Sequence, residues 1–194
     1  MQRRLIVGIT GASGVVYGQR LLQALRHLEI ETHLVLSKSA ALTITYELDQ
    51  PVEAIKALAS KTHPIADIGA SIASGSFKTD GMIIAPCSMH TLAAIATGVC
   101  DNLLTRAADV TLKERRRLVL LVRESPLHLG HLKNMVAVTE MGAIVSPPVP
   151  AFYSKPESIE AMVDHTIGRA LDLFAIDTGN VTRWRANEPP SREE

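Results

Sequence analysis

Short apolar runs alternate with amphipathic stretches along nearly the whole chain. That alternation restricts the fold more than any other feature. The runs "RLIVGI" (4–9), "THLVLS" (32–37), "GMIIAP" (81–86), "RLVLLV" (117–122) and the start of "AIVSPPVPAFY" (143–153) are short and near-continuously apolar, as buried parallel strands are. Between them the apolar residues fall at helical spacing. Over 14–28, Val15, Leu21, Leu22, Leu25 and Leu28 share a face. Further helices are predicted over 39–48, started by Ser39 and stopped by Pro51, and over 52–60, 89–98, 102–116, 128–142 and 157–174. Such a pattern predicts an α/β fold: a single Rossmann-like, doubly wound, mainly parallel sheet with helices on both faces. No repeat or linker interrupts it, so 1–185 reads as one domain and the polar end 186–194 as a mobile tail.

Composition narrows the setting. The chain is 46% apolar and 21% charged, which is globular. Its formal net charge of zero provides no broad field to draw nucleic acid or an anionic membrane surface. Cys87 and Cys100 form neither a CxxC motif nor a disulfide framework, which suits a reducing compartment. No apolar run approaches the ~20 residues of a membrane span. The start "RRLIVGIT" reads as a strand, not a signal peptide. The expected location is the cytoplasm.

Ligands of doubly wound sheets bind beyond the carboxyl ends of the strands. The candidate residues fall there. After the first strand comes "GITGASGVVYG", spaced Gly8-x-x-Gly11-x-x-Gly14. A dinucleotide fingerprint needs GxGxxG and an acid after the second strand. The second strand instead ends in "LSKS", so NAD is disfavoured. A mononucleotide phosphate fits, as does NADP with Ser37, Lys38 or Ser39 at its 2′-phosphate, because a helix N-terminus offers free N–H groups. Glycines used only for close helix–strand packing remain an alternative. In "APCSMHTLAAIATG", Ser88 and Thr91 can cap a helix or meet a ligand. Cys87 reads as a small buried packing residue. Arg106 and Lys113, seven apart, share a helix face with Asp109 and Glu114 nearby, the pattern of a solvated salt-bridged surface. Arg123 and Glu124 end a strand, where an arginine can grip a phosphate in a bidentate way. Trp184 lies between Arg183 and Arg185. The seven histidines show no HxxxH or HExxH spacing; His128 and His131 share a face without a third ligand, so no metal is expected.

Taken together, "GITGASGVVYG", "SGSFKTDGMIIAPCSMHTLAAIATGVCDNLLTRAADVTLKERRRLVLLVRESPLHLGHLKNM" and "PPVPAFYSKPESI" closely resemble the flavin prenyltransferase family, from about residue 3 to residue 185. The older label for such proteins was flavin-binding phenylacrylic acid or hydroxybenzoate decarboxylase. The resemblance implies FMN as the bound flavin and dimethylallyl monophosphate, or in some members the diphosphate, as donor. The prenyl group bonds to flavin N5 and C6, and prenylated FMN passes to a partner decarboxylase. Members are commonly dodecamers with the site shared between subunits. Carried onto this chain, the FMN contacts are Gly11, Ala12, Ser13, Ser37, Ser88, Met89, His90, Thr91 and Arg123. Tyr153 and Arg169 match the prenyl-phosphate ligands, with Lys113, Glu124 and Arg106 around that phosphate and Trp184 as a nearby aromatic. Glu47 matches a catalytic glutamate, and Phe77 stands where some relatives carry Trp. The implied catalytic set is Ser13, Glu47, Lys113 and Glu124. Two competing readings are a flavoprotein that itself decarboxylates a phenolic acid and a non-catalytic FMN carrier. Neither has use for a second phosphate site beside FMN.

Overall fold

The computed structural model describes residues 2–184; Arg185 and the expected tail 186–194 lie outside the described residues. Six strands form one all-parallel sheet: β1 (Arg4–Ile9), β2 (Glu31–Leu36), β3 (Lys61–His63), β4 (Gly81–Cys87), β5 (Arg117–Val122) and β6 (Ile144–Val145). Their order is β3-β2-β1-β4-β5-β6. This is the doubly wound order in which the chain builds outward from β1 on one side and from β4 on the other. The helices are α1 (Val15–His27), α2 (Lys38–Glu47), α3 (Val52–Lys56), α4 (Met89–Thr97), α5 (Leu103–Lys113), α6 (Leu129–Glu140) and α7 (Ile159–Asp172). Residues up to Pro148 make one compact unit and those from Val149 a second.

Strands β1, β2, β4 and β5 are buried on both faces, and their period of two divides the core. Ile6, Met82, Ile84, Leu118 and Leu120 join Leu92, Leu104, Ala107 and Val138 from α4, α5 and α6 in one cluster. The alternate strand residues Leu5, Val7, Ile9, Ile83, Val119 and Leu121 point to the opposite face and are also buried. On α1, Leu21, Leu22 and Leu25 have no exposed surface, each stabilising the fold by about 1.5–3 kcal/mol relative to exposure.

Several details differ from expectation; α3 stops at Lys56 and not at residue 60, and α5 at Lys113 and not at 116. Strand β3 was not foreseen: it is three residues long and polar, too short to carry a period. Helix α2 begins at Lys38, because Ser37 rather than Ser39 caps it, accepting from Ala40 N at 3.0 Å. Strand β4 continues through Pro86 to Cys87 with a register shift after Ile84, since proline has no N–H for the ladder.

What secures β3 is a buried polar chain. Arg4 Nη2 donates to Glu31 Oε2 at 2.8 Å. Glu31 Oε1 lies 2.9 Å from His33 Nε2, and His33 Nδ1 lies 2.8 Å from His63 Nε2. A carboxylate only accepts, so His33 Nε2 carries the proton and Nδ1 accepts from His63. Burial first, then the proximity of His33 and Lys61, pushes His63 below the ordinary histidine value; burial is also the main cause for His33, opposed by Glu31. Arg4, then His33, holds Glu31 down to about 2. The sign follows: the unfolded chain takes up protons at these histidines below about pH 6.5 while the folded pair resists, so stability present above that pH is lost as pH falls, and Glu31 adds to the loss toward pH 2. The melting temperature is expected to drop by several degrees between about pH 7.5 and pH 5. A flat profile over that range would rule out a neutral buried pair.

Candidate functional site

Strands β1 and β4 are neighbours, yet the chain leaves them in opposite directions, so the switch point lies between their carboxyl ends. Thr10, only 1% exposed, ties the two ends together. Its Oγ1 donates to Pro86 O at 2.8 Å and accepts from Ser88 N at 2.8 Å. Beside this tie is a cavity of about 500 Å³, lined by Gly11, Ser37, Lys38 and Ser39, by Ser88, His90 and Thr91 and by Asp101, Asn102 and Thr105, with Ile65, Ala66 and Leu104 as its apolar part. Three helices start at it. Ser37 caps α2, Ser88 caps α4 with Thr91 N at 3.3 Å, and Asn102 caps α5 with Thr105 N at 3.1 Å. The first backbone N–H groups of a helix have no partner within it, and each helix dipole is positive at this end. Lys38 adds a charge. The arrangement favours an anionic ligand with an apolar body.

Gly11 is required by contact. A Cβ there would lie 2.3 Å from Ser39 Cβ and 3.0 Å from the Ser39 backbone carbon. Three residues on, the helix start expected to hold phosphate is taken by the protein itself. Glu47 Oε2 accepts from Gly14 N at 2.8 Å and from Val15 N at 3.1 Å. A ligand phosphate at those amides would meet a carboxylate, so α2, α4 and α5 are the better anion-facing ends. Ser13 is exposed on the same turn.

Of the expected FMN contacts, Gly11, Ser37, Ser88, His90 and Thr91 line the cavity. Ala12 and Ser13 continue the turn that Gly11 begins. Met89 packs against the apolar core. Arg123 is held next to the site by its backbone, Arg123 N donating to Cys87 O at 3.1 Å, and its side chain is exposed, as is Glu124. Cys87 is fully buried and its thiol is pushed up to about 12 by burial, so it is a packing residue. His128 is used as the cap of α6, its Nδ1 accepting from Gly130 N at 3.0 Å, and its ring lies against that of His131 at a 30° tilt.

Arg106 and Lys113 do not line that cavity. Helix α5 starts at the ligand edge and returns across the sheet, so Lys113 lies about 15 Å from Leu103 at about 1.5 Å per residue. Lys113 and Asp109 line a separate groove of about 650 Å³ with Val99, Cys100 and Leu112. Arg106 pairs with Asp109 at 2.6 Å, and Lys113 donates to Glu114, whose carboxyl it holds below the usual range. Arg116 binds the loop carrying Phe77 through Phe77 O at 2.8 Å and Gly75 O at 2.6 Å. The expected salt-bridged face is therefore present, and it carries the lysine.

The second unit gathers its own set. Tyr153 meets His165 and Trp184 edge-on, with ring centroids 5.9 and 5.3 Å apart. Arg169 Nη1 donates to Asp172 Oδ2 at 2.6 Å, and Arg183 makes a bidentate pair with the same carboxylate. Arg183, then Arg169, keeps Asp172 below the ordinary carboxylate range. Sequence reasoning singled out Tyr153, Arg169 and Trp184 but not His165 or Asp172. It also missed Asn102 and Thr105 in the cavity and gave Lys38 and Ser39 no part in binding FMN. Their signal was present: each opens a helix after a strand or loop at the ligand edge.

A family model described as Flavoprotein matches residues 1–172. Flavin prenyltransferase UbiX of Neisseria meningitidis is 58% identical over 185 residues, 95% of this chain and 98% of that protein. The crystal structure of AnUbiX in complex with FMN and dimethylallyl pyrophosphate is similar with a TM-score of 0.95 and 55% identity, covering 97% of this chain and 100% of that one. The dodecameric FMN-dependent UbiX-like decarboxylase from Escherichia coli has a TM-score of 0.91 and 51% identity, covering 93% of this chain and 98% of that one. With its switch-point cavity and this likeness over almost all its length, the chain belongs to the flavoprotein family and, within it, to the flavin prenyltransferases.

Proposed function

We infer that this chain joins a dimethylallyl group from dimethylallyl monophosphate to N5 and C6 of reduced FMN, making prenylated FMN for a partner decarboxylase of aromatic or α,β-unsaturated acids. The observation that carries this reading is the cavity where α2, α4 and α5 begin, in a chain 58% identical to a flavin prenyltransferase. FMN fits the residues present. The volume suits a ligand of that size, the helix starts and Lys38 suit its phosphate, and Ile65, Ala66 and Leu104 suit its ring system.

Reduced FMN supplies the nucleophile once bound. The protein's task is to stabilise the departing phosphate and to receive the proton released on ring closure. Lys113, Arg169 and Tyr153 serve the first by charge and hydrogen bonding, with Arg106, Glu124 and Trp184 around them. Ser13 and Glu47 serve the second. Because Lys113 is remote from the cavity of its own chain, it serves a neighbouring copy, and the active form is a homo-oligomer. A dodecameric relative supports this, as does α6, where Leu129, Leu132 and Val136 form an exposed apolar stripe and only Val138 is buried. The two compact units act together as one flavoprotein domain, which a family match reaching from residue 1 to 172 supports. No described helix is long and apolar enough to cross a membrane, and a cytoplasmic site of action is part of this reading.

Anaerobic incubation with reduced FMN and dimethylallyl monophosphate is expected to yield flavin heavier by one prenyl unit in mass spectrometry. No mass gain with either the monophosphate or the diphosphate would overturn the reading. Carbon dioxide release from a phenolic acid without an added decarboxylase would favour direct decarboxylation.

A further inference from the structure

We propose that Gly14 is a positioning residue for prenyl transfer, holding Glu47 by two backbone amides at the start of α1. This rests on the reading of Glu47 as a proton carrier.

The start of α1 is unusual. An N-cap residue normally has extended backbone and a Ser, Thr, Asp or Asn side chain that accepts from the first turn. Gly14 has φ 98° and ψ 31° and provides no side-chain cap. A side chain at that φ is strained, and a Cβ on Gly14 would meet Tyr17 Cδ2 at 3.1 Å and Cε2 at 3.2 Å. A left-handed residue followed by helical ones turns successive N–H groups toward one point, which makes an anion cradle. The anion found there is the Glu47 carboxylate.

The other end of the contact points the same way. Glu47 is the last residue of α2. A carboxylate there faces the negative end of its own helix, and α2 has no basic residue in its last turn to offset this. Local preference therefore opposes an acid at this position. Conflicts between local preference and the global structure concentrate at functional sites. The partner that holds Glu47 is 33 residues earlier in the chain. Both hydrogen bonds fall on Oε2, which leaves Oε1 to accept a proton. Gly14 thus fixes which oxygen is committed to the backbone and which is available.

The test is a double-mutant cycle on single-turnover prenylation, with FMN affinity measured alongside. Glu47→Gln is expected to lower kcat by about 100-fold or more, as loss of a general base does. Gly14→Ala is expected to lower kcat at least tenfold, with FMN affinity within about threefold of the parent. The combined variant is expected to be no slower than Glu47→Gln alone, since the glycine acts through the glutamate. Gly14→Asn, which tolerates a positive φ better than Ala but carries the same Cβ, is expected to be less impaired than Gly14→Ala. Multiplying effects, or parental kcat in Gly14→Ala, would overturn the proposal while leaving Glu47 in the mechanism. Parental kcat in Glu47→Gln would remove the reading of Glu47 and the proposal with it. If Gly14→Ala does not fold, Glu47→Asp decides: it keeps the charge but not the reach, and parental kcat there overturns the proposal.

Discussion

Replacing Lys113 by alanine is expected to slow prenyl transfer by about 100- to 1,000-fold while FMN binds as in the parent. In the proposed role the ammonium neutralises charge that develops on the phosphate as the allyl group departs, so its loss falls on kcat. Within its own chain Lys113 lies about 12 Å along α5 from Thr105, the last residue of that helix to line the cavity. The same distance predicts a complementation result. Co-expressing Lys113→Ala chains with chains whose FMN cavity is disabled places an intact cavity beside an intact lysine in about one site in four, if assembly is random. About a quarter of parental activity is then expected from two inactive proteins. If the lysine served its own chain, every site would carry one defect and no activity would return. Activity of purified mixed oligomers, set against each parent variant alone, separates these outcomes.

Gly11→Ala is the natural partner variant, and it is expected to weaken FMN binding by at least about 100-fold. The added Cβ would lie 2.3 Å from Ser39 Cβ and 3.0 Å from backbone carbon. A backbone atom cannot swing aside as a long side chain can. Either the glycine turn or the start of α2 must shift, and both border the cavity. Overpacking of this kind costs about 1–3 kcal/mol in stability, and the displaced helix start forfeits aligned N–H groups as well. Flavin fluorescence titration reads the affinity and a thermal melt reads the stability. An affinity within about threefold of the parent would show that the contact relaxes without disturbing the site.

The sheet was legible because burial on both faces leaves a strong mark. Near-continuous apolar runs such as "RLIVGI" and "RLVLLV" have few other folds open to them, and each was found as a strand. Strand β3 left no such mark. Lys61, Thr62 and His63 are polar, and His63 is buried only because His33 of β2 and Glu31 stand ready to receive it. Pairing of that kind joins residues 30 apart in the chain, which no local period encodes. The capping serine of α2 was misplaced by two residues for a milder reason: Ser37 and Ser39 both suit the role, and their hydroxyls lie 3.1 Å apart.

The candidate site divides along similar lines. Residues that open helices beyond strand ends could be named from the order of elements, since a doubly wound sheet delivers all such turns to one edge. Ser37, Ser88 and Thr91 stand at such turns, and so does Lys38, which the sequence offers only as a partner for an NADP 2′-phosphate. The place of Lys113 was also open to reasoning: a helix that returns between parallel strands must carry its last residue to the far edge. Glu47 was not open to it. Nothing in an acid at a helix end announces a partner, and only resemblance to relatives singled it out.

What the sequence by itself determined, then, was the alternation of elements, the side of the sheet on which ligands bind and the family to which the motifs belong. Each of these follows from patterns within a few residues, or from order along the chain. Only the tertiary structure decided that the α1 start belongs to Glu47, that Gly11 must admit Ser39, and that His63 of β3 meets His33 of β2. Those are distances between segments far apart in the chain. They are set by how buried surfaces close on one another, and no local preference specifies them.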